Sequence, residues 1–217
     1  GVAGYSTAEI DSCTNNGSVT SSNGGGIAGQ STAEINNCTN SGSITSSDYF
    51  CGGGIAGISY SKISNCANNG SITSFSSHYS HSYVGGIVGK ICYSKKEKEI
   101  VISNVYNTGD VTTTKYEVND YVTFLNDYKG GIIGYNYSDD SSFKLTINNA
   151  YNIGKVSSAI LGGSECSNGF TIINSSYLIG QSGRGCGSNS DKIIAKSSTE
   201  MQTKEFAESL GDAFVYV

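Results

Sequence analysis

The amino-acid sequence predicts an all-β fold, a right-handed parallel β-solenoid of about six coils with a short C-terminal helical cap. Two observations carry this prediction. Two short phrases alternate along the chain, and apolar residues make up 37% of it while Gly fills 29 of 217 positions. Such a composition cannot fill a wide core, but stacked coils need only a few small aliphatic residues each. Pro is absent, as expected of a backbone committed to strand hydrogen bonds.

The longer phrase reads Ile-x-x-Cys-x-Asn-x-Gly-x-Ile-Thr with small variations, and it predicts two strands joined by a tight turn. The five clear copies begin at Ile10, Ile35, Ile63, Ile102 and Ile147, and a weaker copy begins at Ile173. The first two copies lie 25 residues apart, which suits a three-faced coil of parallel strands. Later copies are farther apart, and the extra residues predict loop insertions at 74–101 and 113–146 within a repeat region of residues 1–180.

One Asn is present in every clear copy of this phrase. These residues are Asn15, Asn40, Asn68, Asn107 and Asn152. Because Asn and Gly both tolerate positive φ, the Asn-x-Gly sequence is predicted to turn the chain at a corner of each coil. Side chains stacked at one corner are predicted to hydrogen-bond to one another as an Asn ladder. We therefore expect a structural role for them.

The shorter phrase, Gly-Ile-x-Gly, predicts a strand that buries its aliphatic residue while its glycines permit close backbone approach. Copies lie at residues 26–29, 54–57, 86–89 and 131–134, with a first copy at 1–4 and a decayed last one at 161–163. Residues 24–29 also satisfy the G-x-G-x-x-G fingerprint of dinucleotide sites. That fingerprint requires a following helix, whereas strand-like sequence follows here, so we expect no nucleotide.

Three of the seven cysteines share one position of the longer phrase. They are Cys13, Cys38 and Cys66. Later copies carry Val105 and Ala150 at this position, so the thiols are predicted to be buried as small hydrophobic groups. Disulfides between coils are the alternative. Cys166 and Cys186 lie in a Gly/Ser-rich stretch outside the regular repeats and are better candidates for a disulfide.

The C-terminal residues 181–217 depart from the repeat pattern and are predicted to form a Gly/Ser-rich segment followed by the helical cap. Residues 198–211 contain helix formers behind Ser and Thr residues suited to N-capping. Met201, Phe206, Ala207 and Leu210 are predicted to dock on the last coil, whose strand edge is otherwise unpaired.

Composition excludes several classes of partner. A net charge of −5 and a single arginine, Arg184, argue against nucleic acid, since phosphate neutralisation needs clustered basic residues. No run of about 18 apolar residues is present, so we expect no membrane-spanning segment. The chain begins inside a repeat without a signal-peptide pattern, and we expect it to belong to a larger polypeptide.

Catalytic and metal-binding patterns are missing from the sequence. His78 and His81 lie in a Ser-rich stretch with no further ligand at metal-site spacing, and Asp139 and Asp140 are expected to face water instead of calcium. The repeats carry Ser, Thr and Asn where a polysaccharide-degrading β-helix enzyme requires clustered carboxylates. We predict no catalytic residue, no metal and no cofactor.

Aromatic residues concentrate in the predicted insertions and suggest binding, because Tyr offers contact area and a polar tip at low entropic cost. The candidate binding residues are Tyr116, Tyr121, Phe124, Tyr128, Tyr135 and Tyr137. The alternative is that these rings pack the insertions against the flank of the solenoid. A row of threonines, Thr20, Thr45, Thr73 and Thr112, invites an ice-binding hypothesis, but it lacks a regular second column and suits an ordinary strand surface.

The alternation of Gly-Gly-Ile-Ala/Val-Gly with Ile-x-Asn-x-Tyr-Asn-x-Gly-x-Val-Thr over residues 1–180 resembles the GLUG-motif repeat family. The segment from Met201 to Gly211 resembles the helical segment that often closes such arrays. The resemblance implies a large secreted or wall-attached bacterial protein, a group that includes IgA-specific metallopeptidases and adhesin-like proteins. The His-Glu-x-x-His motif of those peptidases is absent from this chain, and the long excursions and the decayed repeat depart from the family pattern.

The resemblance therefore implies a non-catalytic repeat segment at the bacterial cell surface or in the extracellular space. It would act as an adhesin-like module that binds a glycan or an extracellular host protein, or as a spacer. A polysaccharide-degrading β-helix enzyme and a self-associating stalk or filament unit are the alternatives.

Overall fold

The computed structural model describes residues 1–47, 51–76, 81–94, 97–115, 127–164, 170–178, 193–210, 212 and 214. The protein is mostly β, with 58% of the described residues in strands and 6% in helices. Every pairing between the strands of the described residues is parallel, and each strand of the first three repeats pairs with its equivalent in the next repeat. This confirms the predicted β class and parallel pairing.

The strands, numbered in chain order, form four sheets. Sheet A contains β1 (Ala3–Ser6), β6 (Ala28–Ser31), β11 (Ala56–Ser59), β15 (Val88–Cys92), β19 (Ile133–Tyr137) and β21 (Leu161–Ser164). Sheet B contains β2 (Ile10–Asp11), β3 (Thr14–Asn15), β7 (Ile35–Asn36), β8 (Thr39–Asn40), β12 (Ile63–Asn68), β16 (Glu99–Asn107), β20 (Lys144–Asn152), β22 (Phe170–Ile173), β23 (Ser175–Leu178) and β24 (Ile193–Lys196). Sheet C contains β4 (Val19–Ser21), β9 (Ile44–Ser46), β13 (Ile72–Ser76) and β17 (Val111–Lys115). Sheet D contains β5 (Gly24–Gly25), β10 (Cys51–Gly53), β14 (Ser82–Gly85) and β18 (Asp127–Gly130).

Each of the first four repeats passes through the sheets in the order A, B, C, D before the chain returns to sheet A. The prediction of three faces is therefore wrong. Sequence reasoning missed sheet D, because its first two strands are only two or three residues long and Gly-rich, with little strand propensity. The stretches 74–101 and 113–146 were predicted as loop insertions. They contain strands β14, β15, β18 and β19, so fewer of their residues belong to loops than the sequence predicted.

The repeats pair in register, so that identical sequence positions stack. Ile35, Ile63, Ile102 and Ile147 are consecutive partners in sheet B. A large core between sheets A and B holds these residues together with aliphatic side chains of sheet A. A smaller second core between sheets C and D is formed by Ile44, Ile72, Val84 and Val111. Small aliphatic side chains, a few from each repeat, thus fill two narrow cores.

The five predicted asparagines form a buried hydrogen-bonded row, which we call the inner ladder. In each step one Asn Nδ2 donates to the Oδ1 of the equivalent Asn in the next repeat at 2.7 Å, beginning with Asn15 to Asn40 and ending with Asn107 to Asn152. The second N–H of each amide donates to the carbonyl oxygen of the Gly two residues later, as in Asn68 to Gly70 at 2.7 Å. The Asn-to-Asn hydrogen bonds predicted from the sequence are therefore present.

Glycines flank the inner ladder because the space beside it is too small for a Cβ atom. At Gly54 an added Cβ would overlap the side chain of Asn68 and the carbonyl oxygen of Gly86. At Gly70, the Gly of an Asn-x-Gly sequence, it would overlap the carbonyl oxygen of Gly42 in the preceding repeat. Close approach, not positive φ, therefore requires these glycines, contrary to the role predicted for Asn-x-Gly.

Positive φ occurs instead three residues before each ladder Asn, immediately before the Cys-type position. These five residues are Ser12, Asn37, Asn65, Asn104 and Asn149, and Asn174 holds the same place before Tyr177, all with φ between 46° and 54°. Asn tolerates this left-handed conformation better than most residues. Four steps of a second, outer ladder join these side chains, in which Asn174 donates to Asn149, Asn149 to Asn104, Asn104 to Asn65 and Asn65 to Asn36 at 2.9–3.2 Å. Sequence reasoning missed this row.

Two short helices follow the last strand, α1 (Ser198–Met201) and α2 (Lys204–Ser209). Ser197 caps α1 through a capping box with Glu200, and Thr203 caps α2, as the sequence suggested. Phe206 of α2 is buried and lies edge-on to Tyr151 of β20, with the ring centroids 5.7 Å apart. This contact lies on the outer face of sheet B, two strands inside its edge strand β24. The role of the helices as a cap over the last repeat stays a prediction.

Removal of one ladder amide is expected to destabilise the protein strongly. In Asn68→Ala, the Asn40 Nδ2 and the Asn107 Oδ1 each lose a buried partner, so the free energy of unfolding should fall by about 2–4 kcal/mol. The matched control is Asn69→Ala, because the neighbouring Asn69 is exposed and its side chain only accepts from Thr108. This control should change the free energy of unfolding by less than about 0.5 kcal/mol. Equal effects of the two substitutions on the free energy of unfolding, measured by urea denaturation, would contradict a stabilising role of the inner ladder.

Candidate functional site

Aromatic side chains gather where strands of sheets D and A follow one another. Tyr83 of β14 and Tyr128 of β18 are register partners, and their rings stack with centroids 5.6 Å apart and planes 12° from parallel. Tyr135 of β19 completes a triangle, with its centroid 4.8 Å from that of Tyr83 and 4.5 Å from that of Tyr128. Tyr83 and Tyr128 are partly exposed, whereas Tyr135 is buried with 5% of its surface exposed, so the third ring packs against the other two and is not open to solvent.

A lysine lies between this triangle and a fourth ring. Lys90 of β15 is the register partner of Tyr135, and its Nζ is 4.8 Å from the centroid of Tyr83. The same Nζ is 4.6 Å from the centroid of Tyr137, whose side chain is exposed. Both distances fall within the range of cation–π attraction, which holds the ammonium group against the rings. We call Tyr83, Tyr128, Tyr135, Tyr137 and Lys90 the aromatic ledge.

His81 extends the ledge at one end. Its ring centroid is 6.2 Å from that of Tyr83 and 5.9 Å from that of Tyr128. The sequence placed this histidine in a polar loop, whereas the structure places it beside two tyrosines immediately before β14. His78 lies outside the described residues. Within the described part of the chain, no group of three His, Cys, Asp or Glu side chains could hold a metal ion.

In-register pairing explains why the ledge forms at this place. Parallel strands bring equivalent residues about 4.8 Å apart, so rings at one sequence position of consecutive repeats stack. Residue 51 precedes Tyr83 and Tyr128 in the same column of sheet D and is a cysteine, which ends the aromatic column on that side. On the other side Gly163 makes room, because a Cβ there would overlap the ring of Tyr128.

Of the six candidate binding residues, the structure brings Tyr128, Tyr135 and Tyr137 together in the ledge. Tyr116, Tyr121 and Phe124 lie outside the described residues, so their placement stays a prediction. Sequence reasoning counted Tyr83 among the aromatic residues of the insertions but left it out of the six candidates, and it did not select Lys90. Alignment of the segment before residues 86–89 with the segment before residues 131–134 would have paired Tyr83 with Tyr128 and provided the signal.

The nearest described carboxylate in sheet D is engaged in a polar network. Asp127 of β18 accepts from the Thr113 hydroxyl at 3.1 Å, and Lys129 Nζ donates to the same hydroxyl oxygen at 3.1 Å. These groups connect sheets C and D. Asp140, considered for calcium, accepts at Oδ1 from the backbone N–H and the hydroxyl of Ser142, and these bonds lower the pKa of its carboxyl. Asp140 therefore closes a local turn.

The three cysteines that share a repeat position stack in the large core as free thiols. Each thiol donates to the carbonyl oxygen two residues earlier, at 3.3 Å for Cys13 and 3.0 Å for Cys38 and Cys66. Cys38 and Cys66 are buried and Cys13 is partly exposed. The Cys66 thiol lowers the pKa of Cys38, and Cys38 in turn raises the pKa of Cys66. Cys166 and Cys186, the expected disulfide, lie outside the described residues.

The threonine row of sheet C is also in register. Thr20, Thr45, Thr73 and Thr112 are consecutive partners, and the hydroxyls of Thr73 and Thr112 are 3.2 Å apart. The neighbouring outward column changes from Ser18 and Ser43, whose hydroxyls are 2.9 Å apart, to Asp110 in the fourth repeat. The second hydroxyl column therefore ends before the fourth repeat, and the ledge remains the stronger candidate site.

No family model, curated protein or solved structure matches the chain. Within the described residues, no helix is long and apolar enough to cross a membrane.

Thiol labelling is expected to distinguish the three stacked cysteines. Cys13 should react with iodoacetamide in the folded protein, whereas Cys38 and Cys66 should react only after unfolding, since the reagent cannot reach them. Burial raises the pKa of the Cys13 thiol, so its labelling should accelerate up to a higher pH than that of a free peptide cysteine. Peptide mass spectrometry measures each site. Labelling of Cys38 as fast as Cys13 in the folded protein would contradict this arrangement.

Proposed function

We propose that the chain is a non-catalytic repeat segment of a bacterial cell-surface or secreted protein, and that its aromatic ledge binds a glycan. In this proposal the four parallel sheets are the sides of a right-handed β-solenoid that presents the ledge on its flank. The recurring sheet order and the in-register pairing support the solenoid. The resemblance to GLUG-motif repeats supports the extracellular context.

The ledge is the single observation that carries the binding proposal. Aromatic rings present flat apolar faces on which the C–H groups of a sugar ring can stack, and tyrosine hydroxyls add hydrogen bonds at the rim. Lys90 Nζ, held between Tyr83 and Tyr137, supplies a donor in the middle of this apolar surface. A surface of stacked rings with one central cation thus offers both kinds of contact that a sugar requires.

The size of the ledge favours a glycan over a protein partner. Its two partly exposed central rings, those of Tyr83 and Tyr128, have centroids 5.6 Å apart, which is the scale of one or two sugar rings. A standard protein interface buries about 800 Å² on each partner, many times the area of these rings. An extracellular protein therefore needs additional contacts beyond the ledge.

The enzymatic alternative is less well supported by the surroundings of the ledge. Glycoside hydrolysis requires two carboxyl groups about 5–9.5 Å apart, flanking the scissile bond. Asp127, the acid in the strand of Tyr128, bonds Thr113 in the network between sheets C and D. We therefore propose recognition without bond cleavage.

Binding to a glycan array tests this proposal. Tyr83→Ala and Tyr137→Ala should each weaken binding of a retained glycan by about tenfold, the equivalent of 1.4 kcal/mol lost from stacking. The matched control is Tyr5→Ala, because Tyr5 is an exposed tyrosine in the same outward column of sheet A as Lys90 and Tyr135, several strands away. Binding should survive this substitution.

Three outcomes would overturn the proposal. They are retention of no glycan by the wild-type chain, an equal loss of affinity in Tyr5→Ala, and release of reducing ends from the bound glycan. The last outcome would favour the enzyme, and capture of an extracellular protein that tolerates both ledge substitutions would move recognition to another surface.

A further inference from the structure

Two register-paired columns of residues line the aromatic ledge, and Lys90 is the one charged side chain that the structure describes in them. The columns face each other, since the ring centroids of Tyr128 in sheet D and Tyr135 in sheet A are 4.5 Å apart. The column of sheet A contains Tyr5, Gln30, Ile58, Lys90, Tyr135 and Gly163, and the column of sheet D contains Cys51, Tyr83 and Tyr128. One repeat therefore places a cation where its neighbours place uncharged residues.

The ammonium group of Lys90 has aromatic neighbours but no acceptor. Its Nζ lies between the rings of Tyr83 and Tyr137. Within the described part of the chain this Nζ forms no hydrogen bond and no ion pair, whereas that of Lys196 pairs with Glu200 at 3.5 Å. An ammonium group carries three N–H donors, and aromatic faces attract its charge without offering a lone pair. The donors of Lys90 are therefore available to a ligand.

Lys129 of β18 has the polar partners that Lys90 lacks. Its Nζ donates to the Thr113 hydroxyl oxygen at 3.1 Å, and the same hydroxyl donates to Asp127 at 3.1 Å. Because side chains alternate along a strand, Asp127 and Lys129 lie on the face of β18 opposite to that of Tyr128. The carboxylate next to Tyr128 in sequence thus belongs to the network between sheets C and D and does not neutralise Lys90.

Two thiols lie beside the rings that hold Lys90, and both are uncharged near pH 7. Cys51 is the register partner of Tyr83, and Cys92 is that of Tyr137. Burial raises the pKa of the Cys51 thiol to about 12 and also raises the pKa of the Cys92 thiol, and in both cases it outweighs the opposing effect of the Lys90 charge. Neither residue therefore supplies a thiolate that would balance the ammonium group.

We propose that the aromatic ledge selects glycans whose sugar rings carry an anionic oxygen group, and that Lys90 sets this preference. The inference rests on the proposed glycan binding and names the class of sugar. The anionic group is the carboxylate of a uronic or sialic acid, or a sulfate ester. A sugar ring stacked on Tyr83 and Tyr128 brings such a group within reach of Lys90, because the Nζ is 4.8 Å from the centroid of Tyr83.

The local attraction to Lys90 outweighs repulsion from the net charge of −5. Exposed charges separated by more than about 8 Å are largely screened at physiological ionic strength. An anionic oxygen that meets Lys90 beside the ring faces is partly shielded from water, which strengthens the attraction. Hydrogen bonds with an ionised partner are also about twice as strong as those between neutral groups. The two rings hold Nζ in place before binding, so less side-chain entropy is lost.

Matched pairs of glycans on an array test this inference. Each glycan that contains a uronic or sialic acid is printed beside its carboxyl methyl ester, which keeps the sugar ring and removes the charge. Each sulfated glycan is printed beside its desulfated form. In at least one of the two sets, the wild-type chain should bind the anionic member about tenfold more tightly than its neutral partner. The set with the larger ratio identifies the anionic group.

Substitutions at Lys90 separate charge from shape. Lys90→Gln should bring the ratio of the two affinities close to one, because the side chain keeps a hydrogen-bond donor but loses the charge. Lys90→Arg should preserve the preference, since a guanidinium group keeps the charge and stacks on aromatic rings. The matched control is Lys155→Gln, because Lys155 is an exposed lysine outside sheets A and D. This control removes the same charge elsewhere and should leave the ratio unchanged.

The outcomes distinguish this inference from the proposed function. Equal binding of anionic and neutral partners, or a preference that survives Lys90→Gln, would overturn the inference and leave glycan binding by the ledge intact. Loss of the preference in Lys155→Gln would also overturn it, because net charge and not Lys90 would then set the selectivity. Retention of no glycan of either kind would overturn the proposed function itself.

Discussion

The structure depends on one repeated interaction, the amide-to-amide hydrogen bond of the inner ladder. Each Asn side chain donates once to the next Asn and once to a Gly carbonyl oxygen, so both N–H groups of a buried amide are satisfied. These hydrogen bonds offset the cost of burying the amide only when equivalent residues of consecutive repeats are aligned. A slip of one residue would leave every ladder amide unpaired and turn the apolar faces outward. The ladder thus selects the register that a core of small aliphatic residues leaves weakly specified.

Register in turn converts sequence repetition into continuous columns on the surface and in the core. The same rule that stacks Cys38 on Cys66 in the core stacks Tyr83 on Tyr128 outside it. A binding surface on such a scaffold requires only a change of residue type at one position of two consecutive repeats. In the proposed function, rings held on paired parallel strands lose little entropy on binding.

The sequence was sufficient for the β class, the parallel pairing and the Asn ladder, because these follow from identical residues at equal positions. It was not sufficient for sheet D, since Gly24 and Gly25 carry no hydrophobic alternation by which a strand is identified. The conformational role predicted for Asn-x-Gly was also wrong. Positive φ, as at Asn37, and close packing, as at Gly42, both favour Asn or Gly, so the sequence does not distinguish the two requirements. Lys90 escaped notice because its importance lies in two rings that come from other strands.

The hydrogen bonds of the two ladders are donated in opposite directions along the array. In the inner ladder the Gly carbonyl oxygens set the direction of donation. In the inner ladder each Nδ2 must face a Gly oxygen, which only accepts, so the amide cannot flip and donation proceeds from Asn15 toward Asn152. Donation in the outer ladder proceeds from Asn174 toward Asn36. The two rows of amide dipoles therefore oppose each other, and their ends near the first repeat differ in chemistry. Asp11 ends the outer row by accepting from Asn36 and Asn37, whereas Asn15 begins the inner row as its first described donor.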